Sequence, residues 1–303
     1  MRQSQFESAA AMRPQAPHLD PRLAGLHTTP KRGWWGSRKP TPLDNPPAVD
    51  FHLRLRAPRR IAVVGLKGGV GKTTSSILIA RTIARQRREP TLLLDSDTTY
   101  GSLLLRLGVS PVASAHDIAR MGDPGSLEIL RGVISQTDDG VWVVPSGRDP
   151  AQSAAFSEST YVDAVRALYR YFPVSVTDCG TGLAGSLMDR VVTASHSLVI
   201  ATSASMDGIL SAHNALQWLG SSDNRGIAAR TIVVVGNVPD QPVIDIAEAR
   251  ERLRGLCKAV VSIPADPHIA PGGRIDLDSL SEETQRAGAV LASLALSAAA
   301  SAQ

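Results

Sequence analysis

The stretch that most limits what this chain can fold into is Gly65-Leu66-Lys67-Gly68-Gly69-Val70-Gly71-Lys72-Thr73-Thr74. It follows the apolar run Ile61-Ala62-Val63-Val64 and leads into a helix-compatible segment, Ser75 to Gln86. A strand, a glycine-rich turn and a helix in that order predict a loop that wraps a phosphate. Glycines let successive backbone N–H groups turn inward, and the following helix adds its positive end. Lys72 is then placed to reach the β- and γ-phosphates of a nucleotide, and the Thr73 hydroxyl to ligate Mg²⁺. Gly68, Gly69, Val70, Gly71 and Thr74 complete the predicted cradle.

The remainder of the sequence alternates short apolar runs with helical patterns. Strands are predicted at 60–65, 91–95, 141–144, 173–178, 197–202, 231–236 and 259–263, and helices at 72–87, 159–171, 184–193, 206–219, 244–255 and 280–298. Runs such as Thr231-Ile232-Val233-Val234-Val235 have no polar alternation, as parallel strands covered on both faces require. The expectation is one doubly wound α/β domain over residues 58–303.

Residues 1–57 read differently. The first 60 residues hold eleven Lys and Arg against four Asp and Glu, and nine of the 20 prolines. The net charge of +4 therefore belongs to an N-terminal arm, and the body is mildly acidic. Such a composition cannot bury enough apolar surface to offset chain entropy, so a disordered arm is expected. Within it, Trp34 and Trp35 are flanked by Lys31, Arg32, Arg38 and Lys39, a combination suited to docking on a protein, an anionic lipid or a nucleic acid. The sequence shows no apolar run long enough to span a bilayer and no signal-peptide pattern at its start. Cys179 and Cys257 form no metal or disulfide pattern, which points to a reducing, cytoplasmic setting.

The loop departs from the usual phosphate-binding pattern, with Leu66 where glycine is common and a second lysine, Lys67, at its start. In this it resembles the deviant Walker A motif of the ParA/MinD-type P-loop ATPases. The resemblance implies an ATP-bound homodimer in which Lys67 crosses to the partner's phosphates. The residues alone show only a second cation beside the cradle. Asp95-Ser96-Asp97 lies where that family has its first switch, which implies that Asp97 positions the attacking water, directly or beside the metal. Asp95 is left open between capping, second-shell metal work and chemistry. Thr98-Thr99-Tyr100 replaces the family's common Pro-Gln-Gly. Val174-Ser175-Val176-Thr177-Asp178 has the form of a Walker B strand, with Asp178 holding a Mg²⁺-bound water, and Cys179 to Gly182 would be a second switch. By the same resemblance Asn237 and the Ile263-Pro264-Ala265-Asp266 segment would flank the adenine, with Asn237 and Pro264 in contact with the nucleotide.

The Pro-rich arm and the Asp178–Gly182 and Asp207-Gly208 stretches resemble, more narrowly, the MinD-like ATPases associated with actinobacterial type VII secretion. That resemblance implies recruitment of a protein partner through residues 1–57, at or near a membrane. The cluster cysteines of the nitrogenase iron protein, the C-x-x-C of iron–sulfur scaffolds and the basic C-terminal helix of MinD have no counterpart. Three alternatives stay open: a ParA-like partition ATPase using Arg250, Arg252, Arg254 and Lys258 on DNA, a ligase of the dethiobiotin synthetase type, and an ATP sensor without turnover.

Overall fold

A computed structural model describes residues 49–99, 101–221 and 224–302. Eight strands form one sheet: β1 (Arg59–Gly65), β2 (Thr91–Ser96), β3 (Ser135–Gln136), β4 (Val141–Val144), β5 (Val174–Thr181), β6 (Ser197–Ser203), β7 (Thr231–Val238) and β8 (Ala259–Pro264). Their order is β3-β4-β2-β5-β1-β6-β7-β8, and every pairing is parallel except β3 with β4. The seven predicted strands are all present. β3 was not foreseen, being two residues long and held in part by its Ser135 hydroxyl donating to Ser110 O at 2.6 Å.

The helices are α1 (Lys72–Arg87), α2 (Leu103–Leu107), α3 (Ala115–Met121), α4 (Leu127–Arg131), α5 (Pro150–Ala154), α6 (Glu158–Leu168), α7 (Ser186–Ala194), α8 (Met206–Ser221), α9 (Arg225–Ala228), α10 (Ile246–Leu253) and α11 (Glu282–Ala300). Alternate residues of each strand serve opposite faces. Ile61 and Val63 pack with Ile77, Leu78 and Ile83 of α1 and Leu291 and Leu296 of α11. Ala62 and Val64 join Tyr161 of α6, Val191 of α7 and Ile209 and Leu216 of α8. The absence of charge from residue 288 onward in α11 is explained by its place: Leu291, Ala292, Ala295, Leu296, Ala298 and Ala299 have no solvent exposure. Among the described residues no helix is long and apolar enough to cross a membrane.

The expected boundary at residue 57 moves. Residues 1–48, with Trp34 and Trp35, lie outside the described residues, but 49–57 are laid against the α1/α11 face. Phe51 is buried, and Leu53 and Leu55 are partly buried in the same core. The Arg87 guanidinium donates to Phe51 O (2.5 Å) and Leu53 O (2.9 Å), and Asp50 N donates to Ser293 Oγ (3.0 Å). The reason is a period of two that arginine content concealed: Phe51, Leu53 and Leu55 face inward, while His52, Arg54 and Arg56 are exposed.

Candidate nucleotide site

In an open parallel sheet the ligand crevice lies beyond the carboxyl ends of the strands. Here β1 and its neighbours β5 and β6 end together. β1 feeds the glycine loop directly into α1, whose N-cap is Gly71 at φ +91°, with Gly69 at φ +74°. Both angles are in the left-handed region, which side-chain-bearing residues resist. Gly65 serves another need, close approach: a Cβ there would lie 2.8 Å from Lys72 Cγ and from Val70 Cγ2. Replacing Gly65 with Ala should therefore displace the Lys72 stem and cost about 1–3 kcal/mol of stability, as overpacking does. A thermal melt and a nucleotide titration read both effects, and an unchanged pair of values would show that the loop yields freely.

Lys72 is buried and its Nζ donates to Thr181 Oγ1 at 3.1 Å, across the cradle at the end of β5. The Ser76 hydroxyl, one turn further along α1, donates to Asp178 Oδ1 at 2.8 Å. Asp178 is buried, and burial pushes its carboxyl up to about 6, against the pull of the Thr73 and Ser76 hydrogen bonds and the Lys72 charge. The parallel register sets Asp95 of β2 directly beside Asp178 of β5. Asp95 is buried too, and burial first, then the Asp178 charge, raise its carboxyl well above the usual range. Two carboxyls and one lysine, all buried, thus converge.

The chain turns after Ser96. Asp97 N donates to Asp95 Oδ1 at 2.8 Å, so Asp95 caps the turn, one of the roles left open for it. Asp97 Oδ1 accepts from Thr99 N at 2.8 Å and from Thr99 Oγ1 at 2.5 Å. A Cβ on Gly180 would lie 3.4 Å from Asp97 Oδ1, so the stretch after Asp178 packs on the Asp97 carboxylate. The buried Ser146 donates to Asp97 O at 2.8 Å and fixes the backbone of the turn from β4. Ser146 was not foreseen, although it follows a strand end, the place where site residues are sought.

Lys67 points elsewhere than Lys72. Its ammonium pairs with the Asp207 carboxylate in the first turn of α8, with the two side chains 41% and 67% exposed. The Lys67 hydrogen bond, with help from Ser205, brings the Asp207 carboxyl down to about 2. Topology explains the meeting, since β6 lies beside β1 and the helix after it reaches the loop.

The two base-pocket candidates are brought to one place. Asn237 sits at φ +53° in β7, where the register with β8 shifts between Val235 and Val238. Asn tolerates that conformation better than most residues. Val238 pairs with Pro264, and Ala265 N donates to Val238 O at 2.7 Å. Asp266 is buried and structural. Burial acts against its charge, but hydrogen bonds from Ser281 N (2.9 Å) and His268 N (2.8 Å) hold its carboxyl below the usual range. Burial pushes both thiols up, Cys179 to about 12 and Cys257 to about 11.

A buried parallel strand, a left-handed glycine loop, a lysine turned into the cradle and an acid on the neighbouring strand define a P-loop nucleotide-binding protein. A family model described as the CobQ/CobB/MinD/ParA nucleotide binding domain matches residues 61–122. The chain's two-lysine loop and this sheet order are those of the ParA/MinD type of P-loop nucleotide-binding proteins. It is 30% identical over 239 residues to the ESX-1 secretion-associated protein EspI of Mycobacterium tuberculosis, which covers 77% of this chain and 36% of EspI. The chain thus spans about a third of that relative's length. The antiactivator FleN of Pseudomonas aeruginosa is 29% identical over 143 residues, covering 46% of this chain and 49% of FleN. Among solved structures, the cell division ATPase MinD of Pyrococcus furiosus superposes with a TM-score of 0.62 at 22% identity, covering 79% of this chain and 98% of MinD. The MinD of Pyrococcus horikoshii in complex with Mg-ADP gives 0.62 at 19% identity, covering 77% and 94%. At such identities the structures speak for the fold.

Proposed function

We propose that this chain is a Mg²⁺-dependent ATPase that pairs face to face around two ATP molecules and recruits or positions a protein partner. The observation that carries the reading is the division of labour between the two lysines. Lys72 is turned into its own cradle, whereas Lys67 stands half exposed at the rim, held by Asp207 alone among carboxylates of the described residues. An exposed ion pair of this kind is weak, so Lys67 is free to exchange Asp207 for a partner's phosphates. Asp97, fixed by Thr99 and Ser146, would orient the attacking water, which is most of what phosphoryl transfer asks of a protein.

The donor set fits Mg²⁺. The Thr73 hydroxyl and, through a water, the buried Asp178 carboxylate are hard oxygen ligands, and Mg²⁺ takes few of these from protein when phosphates supply the rest. When bound, the ion neutralises charge on the β- and γ-phosphate oxygens. Asn237 and Pro264 would flank the adenine.

The likeness to EspI supports a role linked to type VII secretion; in our reading the arm before residue 49 would contact the partner, and the chain would work in the cytoplasm or at a membrane through it. The DNA reading has less behind it. Two of the four cations of the stripe it rests on are paired, Arg252 with Glu248 at 2.5 Å and Arg254 with Glu251 at 3.0 Å.

The test is the solution mass of the Asp97→Ala variant with ATP and Mg²⁺ and with ADP. Turnover should fall by about 10²-fold or more, and the mass should double with ATP only. A monomer in both conditions, with ATP demonstrably bound, would rule out the face-to-face pair.

A further inference from the structure

Arg106 lies on α2, the short helix that follows the first switch, and it is half buried over the start of α1. Its NH1 donates to Thr74 Oγ1 at 3.3 Å and its Nε to Ser102 Oγ at 3.3 Å, both long bonds to neutral hydroxyls. No carboxylate of the described residues lies within salt-bridge distance of it. Burial pulls it below the usual guanidinium range, and the charge of Asp178 makes up part of the loss. A cation held against the first turn of a helix faces the positive end of the dipole and unbonded N–H groups. Left so, it is an electrostatic liability. An anion between guanidinium and helix end turns both repulsions into attractions.

Two contacts fix which anion. Thr74 follows Lys72 and Thr73 in the first turn of α1, at the edge of the cradle. On its other flank Arg106 borders the loop after β8, the one that leads away from Pro264: its main-chain O accepts from Ile275 N at 2.8 Å, and a Cβ on Gly272 would lie 3.8 Å from its NH2. Arg106 therefore stands between the end of the phosphate cradle and the base-flanking loop. That is where a nucleotide carries its α-phosphate.

We propose that Arg106 is a nucleotide-contacting residue that donates to the α-phosphate, tying the first switch to the occupant of the cradle. This rests on the nucleotide reading above and adds a ligand that the loop motif does not contain. Because α2 continues the chain from Asp97, binding any adenine nucleotide would draw the switch toward α1 before the γ-phosphate is sensed.

The experiment is calorimetric titration of the full chain with ADP and with ATP, in EDTA so that no metal contributes. Arg106→Ala should weaken both nucleotides by a common factor of about 10 to 100, the worth of a charge-assisted hydrogen bond. Its melting temperature without nucleotide should not fall, since the cation there has no carboxylate to lose. Arg106→Gln, which can still reach Thr74 and Ser102, should show the same loss. Arg106→Lys should recover part of it. Wild-type affinity in the Ala or the Gln variant would overturn the proposal, and a loss confined to ATP would move the contact to the γ-phosphate and overturn the α assignment. If the unaltered chain bound neither nucleotide, the reading of the site itself would fail, an outcome distinct from these.

Discussion

Lys67→Ala is expected to abolish the ATP-driven change in mass and to lower phosphate release by about 10³-fold, the order found when a cation supplied in trans is lost. ADP affinity should stay close to that of the unaltered chain, because the phosphate contacts within one subunit fall to Lys72 and the loop amides. The structure supports the separation: Lys67 is turned to α8 and Lys72 to Thr181. Asp207→Ala should act in the opposite direction, since pairing would no longer require Lys67 to be drawn from its carboxylate. The gain will be modest, as Asp207 is exposed and such pairs contribute little. It should also be flat between pH 5 and 8, because the Lys67 hydrogen bond keeps the Asp207 carboxyl down to about 2, ionised throughout. Sedimentation with ATP, with ADP and without nucleotide measures both variants. Phosphate release at the unaltered rate from Lys67→Ala would sink the trans role. A collapse of its ADP affinity would instead put Lys67 in its own subunit's site.

What could be read from the sequence was what local geometry dictates. The loop was legible because glycine-only angles and a lysine-threonine pair must fall at set positions between a strand and a helix, and Gly69 and Gly71 adopt those angles. The seven long strands were legible because two covered faces leave no room for polar alternation. Between residues 101 and 140 the sequence reading placed nothing, yet α2, α3 and α4 are there, each of five to seven residues. Elements that short show no full period, and they hold their shape through contacts such as Leu103, Ile118 and Leu130 in the core.

The site divides in the same way. Lys72 and Thr73 follow from the loop pattern and Asp178 from its Walker B-like strand; in the structure Thr73 and Ser76 of α1 hydrogen-bond Asp178, and Lys72 bonds Thr181. Asp207 and Arg106 were not singled out for the cradle, because nothing near them in sequence says what they face. Asp207 reaches Lys67 across 140 residues through the adjacency of β6 and β1. Arg106 reaches Thr74 only because α2 folds back over α1. Residues recruited by topology become visible when the strand order is known.

Asp95→Asn is expected to stabilise the chain in the absence of nucleotide and Mg²⁺, although the side chain lies at the centre of the site. The parallel register forces Asp95 and Asp178 side by side, both buried, and burial raises both carboxyls, Asp178 to about 6. A carboxyl whose folded pKa exceeds its unfolded value of 3.8 binds its proton more tightly when folded. Stability is then greatest at low pH, falls as pH rises through the folded value, and the whole cost is present above it. Asparagine can still accept the Asp97 N–H but carries no charge. Relative to the unaltered chain, the variant should gain nothing near pH 4 and should gain as pH rises above it. At pH 7 the gain should be on the order of 1–3 kcal/mol, the usual scale for relieving an uncompensated buried charge. For a chain of this size that corresponds to a rise in melting temperature of about 2–10 °C. Thermal melts of both proteins at pH 4, 5, 6 and 7 in EDTA decide the matter. Destabilisation at pH 7 would mean that Asp95 must be ionised to hold the turn at Asp97. Stabilisation that opens with pH would show that the chain keeps two opposed carboxyls at a cost to its own fold, one that Lys72 and a bound cation are placed to relieve.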